Sequence, residues 1–289
     1  MKKFKRIFIE ISNVCNLACS FCPPSDREGK TMSADDFETV LKKLEGHGEH
    51  VYLHIKGEPL LHSDFKKILD LCRVYKKKVN ITTNGTLLDK EGQAILDNPA
   101  VRLVNISLQS FEEMDNESSY EAYLKKVLSF VKKGLRDTKI LFDLRLWNFD
   151  DSSLTASKEN QRMLDHIEAF LDLPEPITVT DSKTKGNKLS SNVYISKGSE
   201  FEWPSMNREE VATRGTCYGL RHQIGILSTG VVVPCCLDAE GAVPLGNILE
   251  DDFENIVTSD RATAIARGFE NNKLVEALCR RCAYRERFF

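Results

Sequence analysis

The chain has 289 residues, 41% of them hydrophobic and 29% charged, with a net charge of −3 at neutral pH. That length suits one large domain, or one with a small appendage, and the charge balance argues against a dedicated nucleic-acid binder. No apolar run approaches the roughly 20 residues that span a bilayer.

The basic start, Met1 to Arg6, is followed only by Ile7-Phe8-Ile9 before Glu10, so it reads as a first strand rather than a signal peptide. A cytoplasmic protein with no membrane partner is expected. The nine cysteines, an odd number, then point to metal binding or catalysis rather than to a disulfide framework.

Strands are predicted near residues 5–12, 51–56, 78–83, 102–109 and 139–147, alternating with helices near 34–45, 63–76, 88–97 and 118–134. Ser33 and Asp36 offer a capping box for the first helix. Repeated strand–helix units imply a parallel sheet with helices outside.

One strand face is apolar: Ile7, Ile9, Ile11, Val51, Leu53, Ile55, Val79, Ile81, Val104, Ile106, Leu108, Phe142, Leu144 and Leu146. The other carries Glu10, Tyr52, His54, Lys56, Asn80, Thr82, Asn105, Ser107, Gln109, Asp143, Arg145 and Trp147. A closed barrel would fill its interior with branched aliphatics, and an open sheet covered on both sides would be apolar on both. The polar face predicts a wide, incomplete barrel around a large polar ligand.

Further on come a helix near 158–172, a possible sixth strand at 177–180 and a Ser-, Lys-, Asn- and Gly-rich stretch. A hairpin turning at Ser228-Thr229-Gly230 and helices near 250–257 and 259–269 complete the chain. The organisation expected is a barrel over 1–180, a linking or substrate-covering segment over 181–214, and a small C-terminal module over 215–289.

Cys15, Cys19 and Cys22 sit directly after the first strand. Three thiolates are one fewer than the four that usually complete a 4Fe–4S cluster, leaving one iron open. The segment from Ser12 to Pro23, with Phe21 before the third cysteine, resembles the signature loop of the radical S-adenosylmethionine superfamily. That resemblance implies a partial (β/α)6 TIM-like barrel and a 4Fe–4S cluster whose open iron binds S-adenosylmethionine. It also implies reductive cleavage to a 5′-deoxyadenosyl radical that abstracts hydrogen from a substrate. Lys56-Gly57-Glu58-Pro59 resembles the family's Gly-Gly-Glu-Pro segment, with Lys56 in place of the first glycine. Thr82-Thr83-Asn84-Gly85 resembles its Thr-Asn-Gly turn. Ser107, Gln109 and Arg145 resemble positions that contact the cofactor's ribose and carboxylate, a guanidinium being suited to two oxygens.

Cys217, Cys235, Cys279 and Cys282 form a second constellation. Four thiolates suit either an iron–sulfur cluster or structural zinc. Beside the N-terminal triplet they resemble the SPASM module or its shortened twitch form, an α+β auxiliary-cluster module. With no cysteine in Ala283–Phe289, one auxiliary 4Fe–4S cluster is expected. Cys236 is expected to be a spare buried thiol and Cys72 a core residue.

A fully ligated cluster suits electron transfer. The expected reaction is therefore a two-electron oxidation or a peptide modification, fed by a low-potential donor such as flavodoxin or ferredoxin. The substrate is a peptide or a small alcohol or amine; no leader-recognition domain precedes the first strand, which tempers the peptide reading. A non-catalytic zinc protein is the rival from another class. His54 and Lys56, which share the inner face with Glu10 and Tyr52, could serve as a base or clamp, or belong to a hydrogen-bonded network. Trp203 is expected to pack. His47, His50, His62 and His166, Lys76–Lys78, and Arg280–Arg281 are expected at the surface.

Overall fold

The computed structural model describes residues 1–113, 117–149, 158–177, 187–199 and 202–285. Strand and helix alternate as β1 (Arg6–Ile9), α1 (Ala34–Lys43), β2 (His50–Tyr52), α2 (Phe65–Val74), β3 (Lys78–Thr83), α3 (Leu88–Asp97), β4 (Val101–Ser107), α4 (Glu117–Asp137), β5 (Leu141–Phe149) and α5 (Lys158–Leu171). Two more strands follow, β6 (Asn187–Lys188) and β7 (Val193–Ser199). The C-terminal region contributes β8 (Gln223–Ile226), β9 (Val231–Val233), β10 (Gly246–Asn247), α6 (Phe253–Thr258), α7 (Asp260–Glu270) and α8 (Ala277–Arg280).

Among the described residues all ten strands share one sheet, in the order β10-β9-β8-β1-β2-β3-β4-β5-β7-β6. Strands β1 to β5 and then β7 run parallel, the six strands of a partial TIM-like barrel. The register explains the two faces. Ile81, Val104, Phe142 and Val193 stand side by side on one face, and Thr82, Asn105, Asp143 and Tyr194 on the other. The aliphatic rows join the buried faces of the helices in the main core. Helix α1 starts as its sequence dictates: the Ser33 hydroxyl accepts from Asp36 N at 3.0 Å.

Several expectations are corrected. The sixth parallel strand is β7, inside the stretch expected to be a linker; of the predicted strand at 177–180, residues 178–180 lie outside the described residues. Val193 and Ile195 alternate with Tyr194 and Ser196, but the surrounding Ser, Asn and Gly conceal so short a pattern. Ile55 faces inward with Phe8, Leu227, Val233 and Ala239, because β2 ends at Tyr52 and strict alternation stops there. Lys77 is buried, its ammonium donating to the Leu44 and Gly48 carbonyls. His47 and His62 are buried too, against Lys2 O and Met32 O, both at 2.8 Å. Arg280 and Arg281 keep the partly exposed positions expected of them, paired with Glu210.

Helix α4 lies against β5 at Gly134, where a Cβ would lie 2.2 Å from Phe142 Cζ. Gly134→Ala is a favourable change for helix propensity, yet here overpacking outweighs it. We expect a net loss of about 1–3 kcal/mol, read from the urea midpoint; a gain would show that Phe142 moves aside freely.

Candidate active site

The cysteine loop leaves the end of β1 and returns to it. Ser12 pairs with Thr31 in an isolated antiparallel bridge, and Asn13 closes the base, its amide donating to Glu28 O at 2.9 Å while Lys30 N donates to its Oδ1 at 2.6 Å. Within the loop, Cys22 N donates to Cys19 O at 3.0 Å. Cys15 and Cys22 are exposed, while Cys19 and Phe21 are half-buried. Although Cys15 and Cys22 are exposed as whole residues, partial desolvation of their sulfurs raises both thiols, and the ammonium of Lys56 opposes that rise at Cys22.

Two neighbouring turns grip this loop. Gly57 has φ +77°, and a Cβ there would lie 2.3 Å from Ser12 O. Only glycine fits both the left-handed conformation and the close approach. Glu58 N donates to Val14 O at 2.9 Å. After β3, Asn84 donates to Asn16 Oδ1 at 3.0 Å and lies 3.8 Å from Cys15 Sγ, while Asn16 donates to Thr86 Oγ1 at 2.9 Å. The Glu58 carboxylate joins the two turns, accepting from Leu60 N, Thr83 Oγ1 and Asn84 N at 3.0, 2.8 and 2.7 Å. Burial pushes it up to about 7 despite those donors.

Glu10 is fully buried and occupied on both oxygens. Arg27 grips it bidentately at 2.7 and 2.8 Å, Ser228 donates from N and Oγ at 3.0 Å each, and Lys56 N donates at 3.2 Å. The hydrogen-bonded network that is one of the two expectations for the inner face is thus present at Glu10. Arg27, Asn13 and Asn16 were not singled out from the sequence. Their only signal was position within the cysteine loop.

The remaining predicted residues line the inner face. Thr82 accepts from Asn105 at 3.2 Å, and Ser107 closes β4. Gln109 lies in a 3₁₀ turn, Leu108–Glu113. Arg145 Nε donates to Asp143 at 3.0 Å and its guanidinium stacks 5.0 Å from the Trp147 ring centre. Three buried atoms here lack partners: His54 Nδ1, Asn105 Oδ1 and Gln109 Oε1. Buried polar atoms ordinarily find one, so the interior fits a polar ligand that supplies donors. His54 stands edge-on to Phe8 at 5.7 Å, and burial, reinforced by Arg145, depresses its imidazole to about 3.

In the C-terminal region, Cys217 Sγ accepts from Gly219 N at 3.5 Å, α8 carries Cys279, and Cys282 N reaches back to Cys279 O at 3.4 Å. Burial raises all four thiols. Cys235 is raised further by Cys236, Cys217, Cys279 and Cys282, so the sulfurs lie within one another's field. Among the described residues no three His, Cys, Asp or Glu side chains converge closely enough to hold a single ion. Cys236 packs with the inner apolar group of Phe8 and Ile55, Trp203 joins it, and Cys72 is core. The donor chemistry of both groups, soft thiols that are exposed or half-buried, fits iron–sulfur clusters.

Comparison with known proteins agrees with this layout. The radical SAM superfamily model matches residues 9–147, and an iron-sulfur cluster-binding domain model, SPASM, matches 217–283. A probable GTP 3′,8-cyclase of Methanococcus maripaludis (strain C6) is 29% identical over 49% of this chain and 50% of its own. The antilisterial bacteriocin subtilosin biosynthesis protein AlbA of Bacillus subtilis is 26% identical over 86% of this chain and 58% of its own. The chain thus spans about half the length of these curated relatives. Among solved structures, Streptococcus suis SuiB bound to precursor peptide SuiA superposes with TM-score 0.64 at 17% identity, covering 98% of this chain and 71% of that one. BtrN in complex with AdoMet and 2-DOIA gives 0.61 at 19%, covering 98% and 94%.

Two outcomes test the site. Arg27→Met strands the Glu10 carboxylate in the interior, and we expect a loss of about 3–5 kcal/mol in denaturant unfolding. For His54, the folded value lies below the unfolded one near 6.5, so its contribution is present above pH 6.5 and drains as pH falls toward 3. Between pH 6.5 and 5 that is about 2 kcal/mol. His54→Gln should flatten this part of the stability–pH curve, and an unaltered curve would show a normally titrating imidazole.

Proposed function

We propose, from the chain's membership of the radical SAM superfamily and its SPASM module, that it removes a hydrogen atom from a peptide substrate and completes a two-electron oxidation. Cys15, Cys19 and Cys22 would hold a 4Fe–4S cluster, and Cys217, Cys235, Cys279 and Cys282 one auxiliary cluster. Bound at the first, S-adenosylmethionine supplies the 5′-deoxyadenosyl radical that such enzymes use.

The chain's own residues define how the cofactor is held. Gly57 and Asn84 fix the loop from two sides. Glu58 shapes both turns, because its oxygens are already taken by Leu60, Thr83 and Asn84. Gln109 Oε1 offers an unspent acceptor, Thr82 and Ser107 line the same face, and Asp143 orients Arg145 toward a carboxylate. His54, neutral at physiological pH, accepts rather than repels a donor.

The observation that carries the oxidative reading is the pairing of β8 with β1, Ile7 against Ile224 and Ile9 against Ile226. The strand leading into the first cysteine group lies beside the hairpin leading into the second. An auxiliary centre there can take the electron left on a substrate radical. The peptide reading is supported by the bacteriocin-biosynthesis relative and by the precursor-peptide complex of SuiB. A second reading, oxidation of a small alcohol or amine, is favoured by the near full-length likeness to BtrN.

Anaerobically reconstituted protein should bind about eight irons and release 5′-deoxyadenosine under reductant. The Cys279→Ala, Cys282→Ala double variant should hold about half that iron and still cleave the cofactor. It should no longer convert a candidate precursor peptide to the product lacking two hydrogens. Full conversion by the double variant would remove the auxiliary centre from the reaction; oxidation of a small alcohol instead of the peptide would establish the second reading.

A further inference from the structure

Lys56 departs from the glycine that the family segment carries, and its surroundings are built around the charge. Its side chain is only 5% exposed. The ammonium donates to the carbonyl of Pro23, the residue after Cys22, and sits 5.8 Å over the Trp203 ring. Glu10 holds the backbone N–H at 3.2 Å, which sets where the side chain begins.

An ammonium so enclosed is costly unless negative charge compensates it. A carbonyl and a ring face supply partial charge only. Among the described residues the Lys56 ammonium pairs with the carboxylate of Glu240, which stands at 4.0 Å and is 40% exposed, a separation and exposure at which solvent screens the pair. Glu240 is also engaged elsewhere, accepting from Ser25 Oγ at 3.0 Å and Asp26 N at 3.2 Å. The Cys22 sulfur also lies within the field of Lys56. Three thiolates and their cluster gain one more negative charge on reduction, and a fixed cation in a poorly solvated wall favours that form.

We propose that Lys56 is a charge built into the wall of the N-terminal cluster site, raising the reduction potential of that cluster, with Glu240 of the C-terminal module as the opposing charge. The assignment rests on the reading that Cys15, Cys19 and Cys22 hold a cluster. The step it governs is the uptake of one electron from an external one-electron donor. The module that carries the second cysteine group thereby touches the electrostatics of the first.

The test is an EPR-monitored potentiometric titration of the full-length, reconstituted protein, following the signal that added S-adenosylmethionine perturbs. Lys56→Met should lower the reduced-to-oxidised ratio at fixed potential about tenfold, which is about 59 mV for one electron. Lys56→Arg should restore it, and Glu240→Gln, which keeps an acceptor for Ser25 and Asp26, should shift it upward by a smaller amount. Equal midpoints for wild type and Lys56→Met would overturn the proposal. If Lys56→Met fails to take up iron, Glu240→Gln decides, and no upward shift would overturn it. Should the expected shifts occur in a protein that never cleaves the cofactor, the charge assignment stands and the enzymatic reading falls.

Discussion

The buried pair of Glu10 and Arg27 is the constraint on which the site depends. A carboxylate with no exposure at the end of β1 would be untenable alone, and every donor that satisfies it comes from a different segment. Arg27 brings the returning arm of the cysteine loop, Lys56 N the end of β2, and Ser228 the turn of the C-terminal hairpin. One charge therefore fixes three loops in a common position. A fully satisfied network of this kind specifies geometry more than it adds stability.

The second constraint is continuity of the sheet. Because β8 extends the barrel's own sheet beside β1, the C-terminal module is not tethered through a flexible joint but shares main-chain hydrogen bonds with the barrel. Glu240 adds a contact at loop level, reaching Ser25 and Asp26 beyond Cys22. Two cysteine groups separated by almost two hundred residues in the chain are thereby held on one scaffold. That fixed placement arises from strand pairing rather than from side-chain packing alone.

The inner face adds a different property. His54, Asn105 and Gln109 keep buried atoms without partners, and each such atom costs free energy that a suitable ligand recovers. Phe8, Tyr52 and Trp203 surround the same region with aromatic surface. The interior is thus prepared for something both polar and partly apolar, which a cofactor and an organic substrate together would be.

The linear order alone carried the radical SAM resemblance, the alternating strands and helices, the apolar and polar faces, and the seven cysteines proposed as cluster ligands. These are carried by spacing and periodicity, which survive in one dimension. It did not reveal β7, whose four alternating residues are submerged in polar neighbours, nor the inward turn of Ile55, set by where β2 stops. It could not separate the two fates of the inner charges either. Glu10, Lys56 and Lys77 look alike as polar residues near strand ends, yet each is buried by partners 17 to more than 200 residues away. Only the tertiary structure decides which charge meets which, because burial and pairing depend on distances through space that the linear order does not contain.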